Sequence, residues 1–293
     1  MEHLNKRLIV LGGPTAVGKT SLAIKLAQHY DTEILSCDSR QLYKELNIGV
    51  ARPSDEELAQ VKHHFIATKS IHDEYNAGMY AADLDEVLKE LFKTKDVVIM
   101  TGGTGLYIKA AVEGLDVMPV RNEKLRAQLD FIYQSEGLTA LQTIADKLEV
   151  NRLETDFENP QRLMRATEIA EGGKIEKVQK PKEKHYETEF YYVNRNRAEL
   201  YERINHRVDL MLDAGFEAEA RAVYPYKGIN ALQTVGYREF FKFFDGDYTR
   251  EHAIEKMKQK TRNYAKRQLT WFRNQGDYTE VRPSLEELLI RLR

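Results

Sequence analysis

One octapeptide near the amino terminus constrains the fold more than any other feature of the sequence. Residues 13–20 read GPTAVGKT, which matches the phosphate-binding pattern G-x-x-x-x-G-K-[ST]. A short apolar run at 7–13 precedes the pattern, and a segment with helical surroundings, Lys19–His29, follows it. This order places backbone N–H groups at the amino terminus of a helix, where they bind an anion. The octapeptide therefore predicts a P-loop at the end of a strand in a parallel α/β sheet.

The residue types within this loop each have a predicted task. The glycines let backbone N–H groups turn toward one point, Lys19 adds a positive charge for the terminal phosphate groups, and the Thr20 hydroxyl is placed to bind Mg²⁺. The same pattern is typical of ATP-binding proteins, so it leaves the bound compound open. The predicted phosphate-binding residues are Gly13, Pro14, Thr15, Ala16, Val17, Gly18, Lys19 and Thr20.

Composition excludes several other classes of protein. A hydrophobic content of 42% with apolar residues along the whole chain excludes a mainly disordered protein. The single cysteine, Cys37, excludes a disulfide scaffold and fits a reducing compartment. No apolar run reaches the length of a membrane span, and the amino terminus lacks the pattern of a secretory signal. We therefore expect a soluble cytoplasmic protein that does not interact with a membrane.

The alternation of strand and helix patterns changes along the chain. Strands are predicted at 7–13, 33–39, 96–100, 190–194 and 278–281, whereas the stretch from about 119 to 186 has only helical signals. One of its helices begins with Asn159-Pro160, an N-cap followed by proline in the first turn. The lysine-rich stretch 174–184 is predicted to be a loop. The fold class is thus an α/β, P-loop-containing parallel-sheet core, formed by 1–117 and 189–293, with a helical insertion domain at 118–188.

A second group of polar residues follows the second predicted strand. Asp38, Ser39, Arg40 and Gln41 come directly after it, so they are expected at the carboxyl edge of the sheet beside the P-loop. Asp38 is either a general base or a cap for the following turn, and the residues alone do not distinguish the two. The third strand ends in TGGTG without the carboxylate that a nucleotide hydrolase usually has at this point. This combination favours a group transferase in which Asp38 faces an acceptor.

Basic residues are concentrated in the last long predicted helix, which runs from about 249 to 273. Seven basic and no acidic residues lie between Lys256 and Arg273, with Tyr264, Trp271 and Phe272 among them. A basic face with aromatic rings is suited to RNA, although a solvated charged face has the same composition. Arg203 and Arg207 lie four residues apart on another predicted helix. On that helix face, one or both arginines could approach the phosphates. Alternatively, the two arginines form a solvated stripe.

Eight sequence blocks in one order resemble a known family. They are GPTAVGKT, CDSRQLYKELNIGVARP, HHF, TGGTGLY, NPQRLMRATEI, GFEAE, TVGYRE and YAKRQLTWFR, and together they span essentially the whole chain. The sequence resembles the tRNA dimethylallyltransferases, also called tRNA isopentenyl transferases, of the bacterial type. The resemblance implies transfer of a dimethylallyl group from dimethylallyl diphosphate to N6 of adenosine 37, beside the anticodon, in tRNAs that read codons beginning with U. Diphosphate is released.

The resemblance also implies roles for individual residues. Asp38 would be the base, Thr104 would lie near the acceptor amine, and Lys19 and Arg207 would stabilise the departing diphosphate together with Mg²⁺ near Thr20. The partner would be the tRNA anticodon stem-loop, and the enzyme would be a monomer. The residues implied to touch tRNA are Asp38, Ser39, Arg40, Gln41, Thr104, Arg126, Gln161, Arg162, Leu163, Met164, Arg165, Lys266, Arg267, Gln268, Trp271 and Arg273.

Two other functions compete with this one. A P-loop small-molecule kinase would bind ATP and would need an acidic Mg²⁺ ligand on the third strand. A non-catalytic RNA-binding module with a vestigial P-loop would have no need of Asp38. Transfer of a prenyl group to an anticodon stem-loop separates the first function from both alternatives.

Overall fold

A computed structural model describes residues 6–115, 122–172, 184–275 and 277–292. Within these residues six strands form one sheet in the order β3-β2-β4-β1-β5-β6, and every pair is parallel. The strands are β1 Arg7–Gly12, β2 Ile34–Ser36, β3 His63–His64, β4 Val97–Thr101, β5 Glu187–Val193 and β6 Thr279–Val281. The α/β fold class with a parallel-sheet core is therefore confirmed.

Twelve α-helices lie between and after the strands in the described ranges. They are α1 Lys19–His29, α2 Asp55–Gln60, α3 Ala77–Leu91, α4 Gly105–Glu113, α5 Glu123–Glu136, α6 Leu138–Lys147, α7 Pro160–Gly172, α8 Arg197–Asp213, α9 Phe216–Val223, α10 Tyr237–Phe244, α11 Arg250–Asn274 and α12 Leu285–Arg291. No helix in the described ranges has both the length and the apolar character to cross a lipid bilayer.

The central strand β1 explains why the sheet forms. Its residues Leu8, Ile9, Val10 and Leu11 are fully buried, which is typical of a parallel strand covered on both faces. It lies between β4 and β5, with Ile9 opposite Ile99 and Glu189. Because all strands run in one direction, the segments that follow β1, β2 and β4 meet at the same edge.

The chain forms two compact units. The first comprises Met1–Glu113 and Glu183–Arg293 and contains the sheet, and the second is Gly114–Lys182. The predicted insertion, 118–188, begins and ends a few residues later than this second unit, and β5 already starts at Glu187. The predicted loop at 174–184 lies outside the described residues except for its last position.

The second unit is helical and has its own core. Asn122 caps α5, and the Asn159 side chain accepts hydrogen bonds from the N–H groups of Gln161 and Arg162. The predicted start of α7 at Asn159-Pro160 is thus confirmed. The buried residues in the core of the second unit are Leu129, Leu141, Ala145, Phe157, Leu163 and Met164. Leu163 and Met164 are fully buried, so we assign their side chains to this core, and their contact with tRNA stays a prediction.

Candidate active site

The loop after β1 has the backbone shape of a phosphate-binding loop. Gly13 and Gly18 have φ of 139° and 105°, in the region that favours glycine. A Cβ on Gly13 would lie 2.7 Å from the carbonyl oxygen of Val193. Ala16 also has a positive φ, 63°. Glycine is thus required at Gly13 by both conformation and space, as the pattern predicted.

Three arginines hold this loop from the side of β5 and α8. Arg195 Nε donates to the carbonyl oxygen of Val17 and Arg203 Nε donates to that of Ala16, both at 2.8 Å. Arg207 Nη1 lies 3.5 Å from the hydroxyl oxygen of Thr15. The structure therefore brings both Arg203 and Arg207 to the P-loop, and it adds Arg195, which the sequence analysis missed.

Lys19 lies in an unusual electrostatic environment. Its Nζ donates to the carbonyl oxygen of Pro14 at 2.6 Å. Burial, followed by the nearby Arg207 guanidinium, lowers the pKa of Lys19 to about 7, although the Asp38 carboxylate acts in the opposite direction. Burial and then Arg203 also lower the pKa of Arg207. A cluster of cations that is costly to keep charged is one that an anionic ligand stabilises.

A cavity of about 730 Å³ opens above the P-loop. Its walls come from the P-loop, the turn after β2, the loop at 47–54, α8 and α11. The predicted phosphate ligands Lys19 and Thr20, the predicted base Asp38, and Arg207 all line it. The residues that sequence analysis placed at one sheet edge therefore share one space large enough for a ligand.

Asp38 has a defined role in its own turn. Its Oδ1 accepts hydrogen bonds from the N–H groups of Arg40 at 2.9 Å and Gln41 at 3.3 Å. The capping interpretation thus holds, and the same residue lines the cavity. Both bonds reach Oδ1, which makes Oδ2 the candidate proton acceptor.

Thr104 joins the second glycine-rich turn to the Asp38 turn. Its Oγ1 accepts from the N–H of Ser39 at 3.2 Å and lies 3.4 Å from the Ser39 hydroxyl. The two turns are very close, since a Cβ on Gly102 would lie 1.9 Å from the carbonyl oxygen of Cys37. The packing of these two turns therefore places Thr104 against Ser39, the residue after Asp38, and its predicted place near the acceptor amine stays a prediction.

Gln268 of α11 links the two glycine-rich turns. Its Oε1 accepts from the N–H of Thr15 at 3.0 Å, and its Nε2 donates to the carbonyl oxygen of Gly103 at 2.9 Å. Only 6% of Gln268 is exposed. Trp271, one turn later, packs against Gly105. Gln268 thus belongs to the framework of the site, and its predicted contact with tRNA stays a prediction.

The remaining face of α11 is basic. Lys258 pairs with Asp209 at 2.6 Å, and Arg262 donates to Asn205, so these two residues bind α8. The exposed lysines and arginines of the helix are Arg250, which pairs with Glu217, and Lys260, Lys266, Arg267 and Arg273. One stripe of α11 therefore faces the cavity, through Tyr264 and Gln268 among others, while another presents positive charge to solvent.

Two side chains of the Asp38 turn donate hydrogen bonds to backbone carbonyl oxygens of the protein itself. Arg40 Nη1 donates to the carbonyl oxygens of Asn230 and Ala231 at 3.0 and 3.1 Å. Gln41 Nε2 donates to the carbonyl oxygen of Ala51 at 2.9 Å and to the preceding one at 3.3 Å. Both residues line the cavity, so their predicted contact with tRNA stays a prediction.

Four polar residues of the second unit form one network. The Glu168 side chain is 1% exposed and accepts from Arg126 at 3.3 Å and from Arg165 at 3.1 Å. Arg126 also donates to Gln161. Arg162 is exposed, with 70% of its side chain accessible. The buried carboxylate fixes two guanidinium groups on this unit.

The fold and the site together define a P-loop protein whose cavity is also lined by the Asp38 carboxylate, with no carboxylate directly after β4. Comparison with known proteins narrows this class. The family model described as IPP transferase matches residues 41–275. The tRNA dimethylallyltransferases of Flavobacterium johnsoniae and Christiangramia forsetii are 43% and 47% identical to this chain. Each match covers 92% of this chain, and 90% and 91% of those proteins.

Solved structures agree with these relatives. The full-length tRNA isopentenylpyrophosphate transferase of Bacillus halodurans superposes with a TM-score of 0.72 at 31% identity, over 98% of this chain and 94% of that one. A eukaryotic dimethylallyltransferase acting on tRNA gives a TM-score of 0.74 at 25% identity, over 95% and 74%. The chain belongs to the IPP transferase family.

Proposed function

We propose that this protein transfers the dimethylallyl group of dimethylallyl diphosphate to N6 of adenosine 37 in tRNAs that read codons beginning with U. The broader activity follows from the family: the protein is a prenyltransferase that acts on tRNA. The observation that carries the finer proposal is that Asp38 and the P-loop with Lys19 line one cavity. A base and a leaving-group site must share a space for this reaction.

The P-loop side of the cavity suits the departing diphosphate. As the allylic C–O bond breaks, positive charge develops on carbon and negative charge on the diphosphate oxygens. Loop N–H groups, Lys19 and Arg207 surround the place where that negative charge forms. Their stabilisation is greatest in the transition state, which accelerates the step.

Asp38 suits the acceptor. The exocyclic amine of adenosine is a weak nucleophile because its lone pair is delocalised into the ring. As the new N–C bond forms, Oδ2 of Asp38 takes the amine proton, a contribution of roughly 10²–10⁴-fold. The target nucleotide must leave its stack to reach a half-buried carboxylate inside a cavity, so we expect base extrusion.

Mg²⁺ fits this cavity with one protein ligand. The Thr20 hydroxyl lines the cavity beside Lys19, and the described residues contain no cluster of three or more His, Cys, Asp or Glu side chains that would hold a metal. Mg²⁺ commonly takes most of its ligands from phosphate oxygens and water. When bound, it neutralises part of the diphosphate charge.

Another part of the cavity wall is apolar and suits the prenyl group. Ile48 and Val50 line it from the loop at 47–54, and Val208, Met211 and Met257 line it from α8 and α11. A five-carbon group gains free energy by leaving water for such a surface. The cavity thus offers separate surfaces for the two ends of dimethylallyl diphosphate.

The exposed basic residues of α11 suit the phosphates of an anticodon stem-loop. We further propose that the enzyme acts as a monomer in the cytoplasm, where its tRNA substrate is found. A small-molecule kinase is not favoured, because the segment after β4 reads Gly102-Gly103-Thr104 and supplies no carboxylate for Mg²⁺.

The test is direct transfer. The protein is incubated with Mg²⁺, dimethylallyl diphosphate and an anticodon stem-loop carrying adenosine 37, and the RNA is digested and examined by mass spectrometry. We expect N6-dimethylallyladenosine, and none from a stem-loop with guanosine at that position. Absence of transfer together with ATP-dependent phosphorylation of a small acceptor would support the kinase instead.

A further inference from the structure

The loop at 47–54 forms a continuous part of the cavity wall. All eight of its residues line the cavity, and Ile48 and Val50 belong to the apolar surface described above. The loop contains only a bend and turns over 47–51 and no regular secondary structure over 52–54. Its position therefore depends on contacts with other elements. What holds it therefore determines the shape of the apolar wall.

A single carboxylate on α9 binds one end of the loop. Glu219 Oε2 accepts from the N–H groups of Asn47 at 3.0 Å and Ile48 at 2.8 Å, and Oε1 accepts from the N–H of Gly49 at 2.8 Å. The Tyr237 hydroxyl donates to Oε1 as well, at 2.5 Å. Hydrogen bonds to an ionised acceptor are about twice as strong as neutral ones, so this set is a firm anchor.

Packing leaves the anchored segment little freedom. A Cβ on Gly49 would lie 2.5 Å from the Phe216 ring and 2.6 Å from the Tyr237 hydroxyl oxygen. The backbone of Gly49 thus rests directly on α9 and α10. Movement of Glu219 would move this backbone, and with it the neighbouring side chains of Ile48 and Val50.

The other end of the loop is held by different residues. Gln41 Nε2 donates to the carbonyl oxygens of Val50 and Ala51. Arg52 Nη2 donates to the carbonyl oxygens of Tyr43 at 2.8 Å and Lys44 at 3.1 Å. These contacts come from nearby in the sequence, whereas Glu219 lies about 170 residues away. Glu219 therefore ties the loop to α9, the helix that follows α8, and so sets the distance between the loop and the α8 side of the wall.

We infer that Glu219 is a positioning residue for the prenyl group of the donor. It holds the apolar wall at the distance at which Ile48 and Val50 pack against the five-carbon group. Dispersion contacts weaken steeply when a gap of 0.5–1 Å opens. The carboxylate thus governs the affinity for the prenyl end and leaves the diphosphate end, held by the P-loop, unaffected. This role rests on the proposed use of dimethylallyl diphosphate.

The test compares two ligands in one variant. Glu219→Gln keeps the shape of the side chain but removes its charge and turns an amide NH₂ toward backbone donors. We expect the calorimetric Kd for dimethylallyl diphosphate to rise about tenfold, a size consistent with losing part of the burial of five carbons. The Kd for inorganic diphosphate should stay within about twofold.

Hydrogen exchange reports the anchor itself. In the wild-type protein the amides of residues 47–49 should exchange slowly, and Glu219→Gln should accelerate them. Tyr237→Phe removes only the hydroxyl from Oε1 and should raise the Kd for dimethylallyl diphosphate about twofold. This second variant keeps the test valid if Glu219→Gln fails to fold. Glu217→Gln is the matched control, because Glu217 lies on the same helix in surface pairs with Arg221 and Arg250.

The outcomes separate this inference from the proposed function. Faster exchange at 47–49 with an unchanged Kd for dimethylallyl diphosphate would overturn the inference, and so would equal weakening of both ligands. Wild-type protein that binds dimethylallyl diphosphate no better than diphosphate would overturn it too. Wild-type protein that binds the prenyl ligand with this preference but modifies no RNA would contradict the proposed function alone.

Discussion

Asp38 holds the backbone of its own turn through Oδ1 and lines the cavity where the acceptor amine is expected. Asp38→Asn separates these tasks, because the amide oxygen still accepts from the two N–H groups while the NH₂ group cannot take a proton. We expect the single-turnover rate of transfer to fall roughly 10²–10⁴-fold. The Kd for tRNA, measured by filter binding, should be unchanged. A parallel loss of rate and tRNA affinity would make Asp38 a structural residue.

Lys19 gives the donor site a pH dependence whose sign can be derived. Its pKa in the free protein is about 7, so above that pH the free side chain is mostly neutral. A bound diphosphate favours the ammonium form, so binding then takes up a proton. The affinity for dimethylallyl diphosphate should therefore fall as pH rises above 7, approaching tenfold per pH unit.

Lys19→Arg is the control for this pH dependence. Arginine stays charged throughout, so dividing the wild-type Kd by the variant Kd at each pH removes the ionisation of the ligand. Calorimetry between pH 6 and pH 9 should show this ratio rising above pH 7. A ratio that does not change with pH would contradict the lowered pKa of Lys19.

Helix α11 contributes side chains both to the active site and to the basic surface of the protein. Gln268 bonds to Thr15 and Gly103, and Gln268→Ala leaves a buried N–H and a carbonyl group without a partner. We expect the free energy of unfolding to fall by about 1–3 kcal/mol and the Kd for diphosphate to rise, with tRNA affinity unchanged. Urea denaturation and calorimetry measure the first two. A selective loss of tRNA affinity would instead place Gln268 at the RNA surface.

The outward face of α11 should behave differently. Lys266 and Arg267 are exposed, and replacing both with Ala should weaken tRNA binding and reduce the slope of log K against log[salt] by about 1–2. The control is the Lys25→Ala, Lys93→Ala double variant, which removes two exposed lysines outside α11. An unchanged salt slope in the α11 variant would contradict its role in binding RNA phosphates.

Sequence patterns predicted the elements that have strong local signals. The P-loop, α1 and α11 are predicted by local patterns, and the observed N-cap of α11 is Thr249, whose side chain accepts from the N–H of His252. Helix α2 was missed because it buries no residue, although its Ser54–Glu57 capping box was a readable signal. Gln268 contacts Thr15, which lies 253 positions earlier in the chain, and Glu219 contacts Gly49, which lies 170 positions earlier. Spacing along the chain carries no information about such pairs, so these framework residues emerged only from the structure.

For the whole molecule, the division into two units predicts that donor binding and tRNA binding can be weakened separately. Leu163 is fully buried in the core of the second unit, from which Arg126 and Arg165 project around Glu168. Leu163→Ala should cost about 2–5 kcal/mol of unfolding free energy. It should also lower tRNA affinity, because the arginines lose their support.

The Kd for dimethylallyl diphosphate should be unaffected by Leu163→Ala, since the P-loop and the cavity belong to the first unit. The matched control is Leu153→Ala in the same unit, where the side chain is 97% exposed and the expected change is within about 0.5 kcal/mol. Thermal unfolding and binding of both substrates are measured for the two variants. If Leu163→Ala weakened both substrates equally, the donor site would depend on the fold of the second unit, and the two binding functions would not be separable.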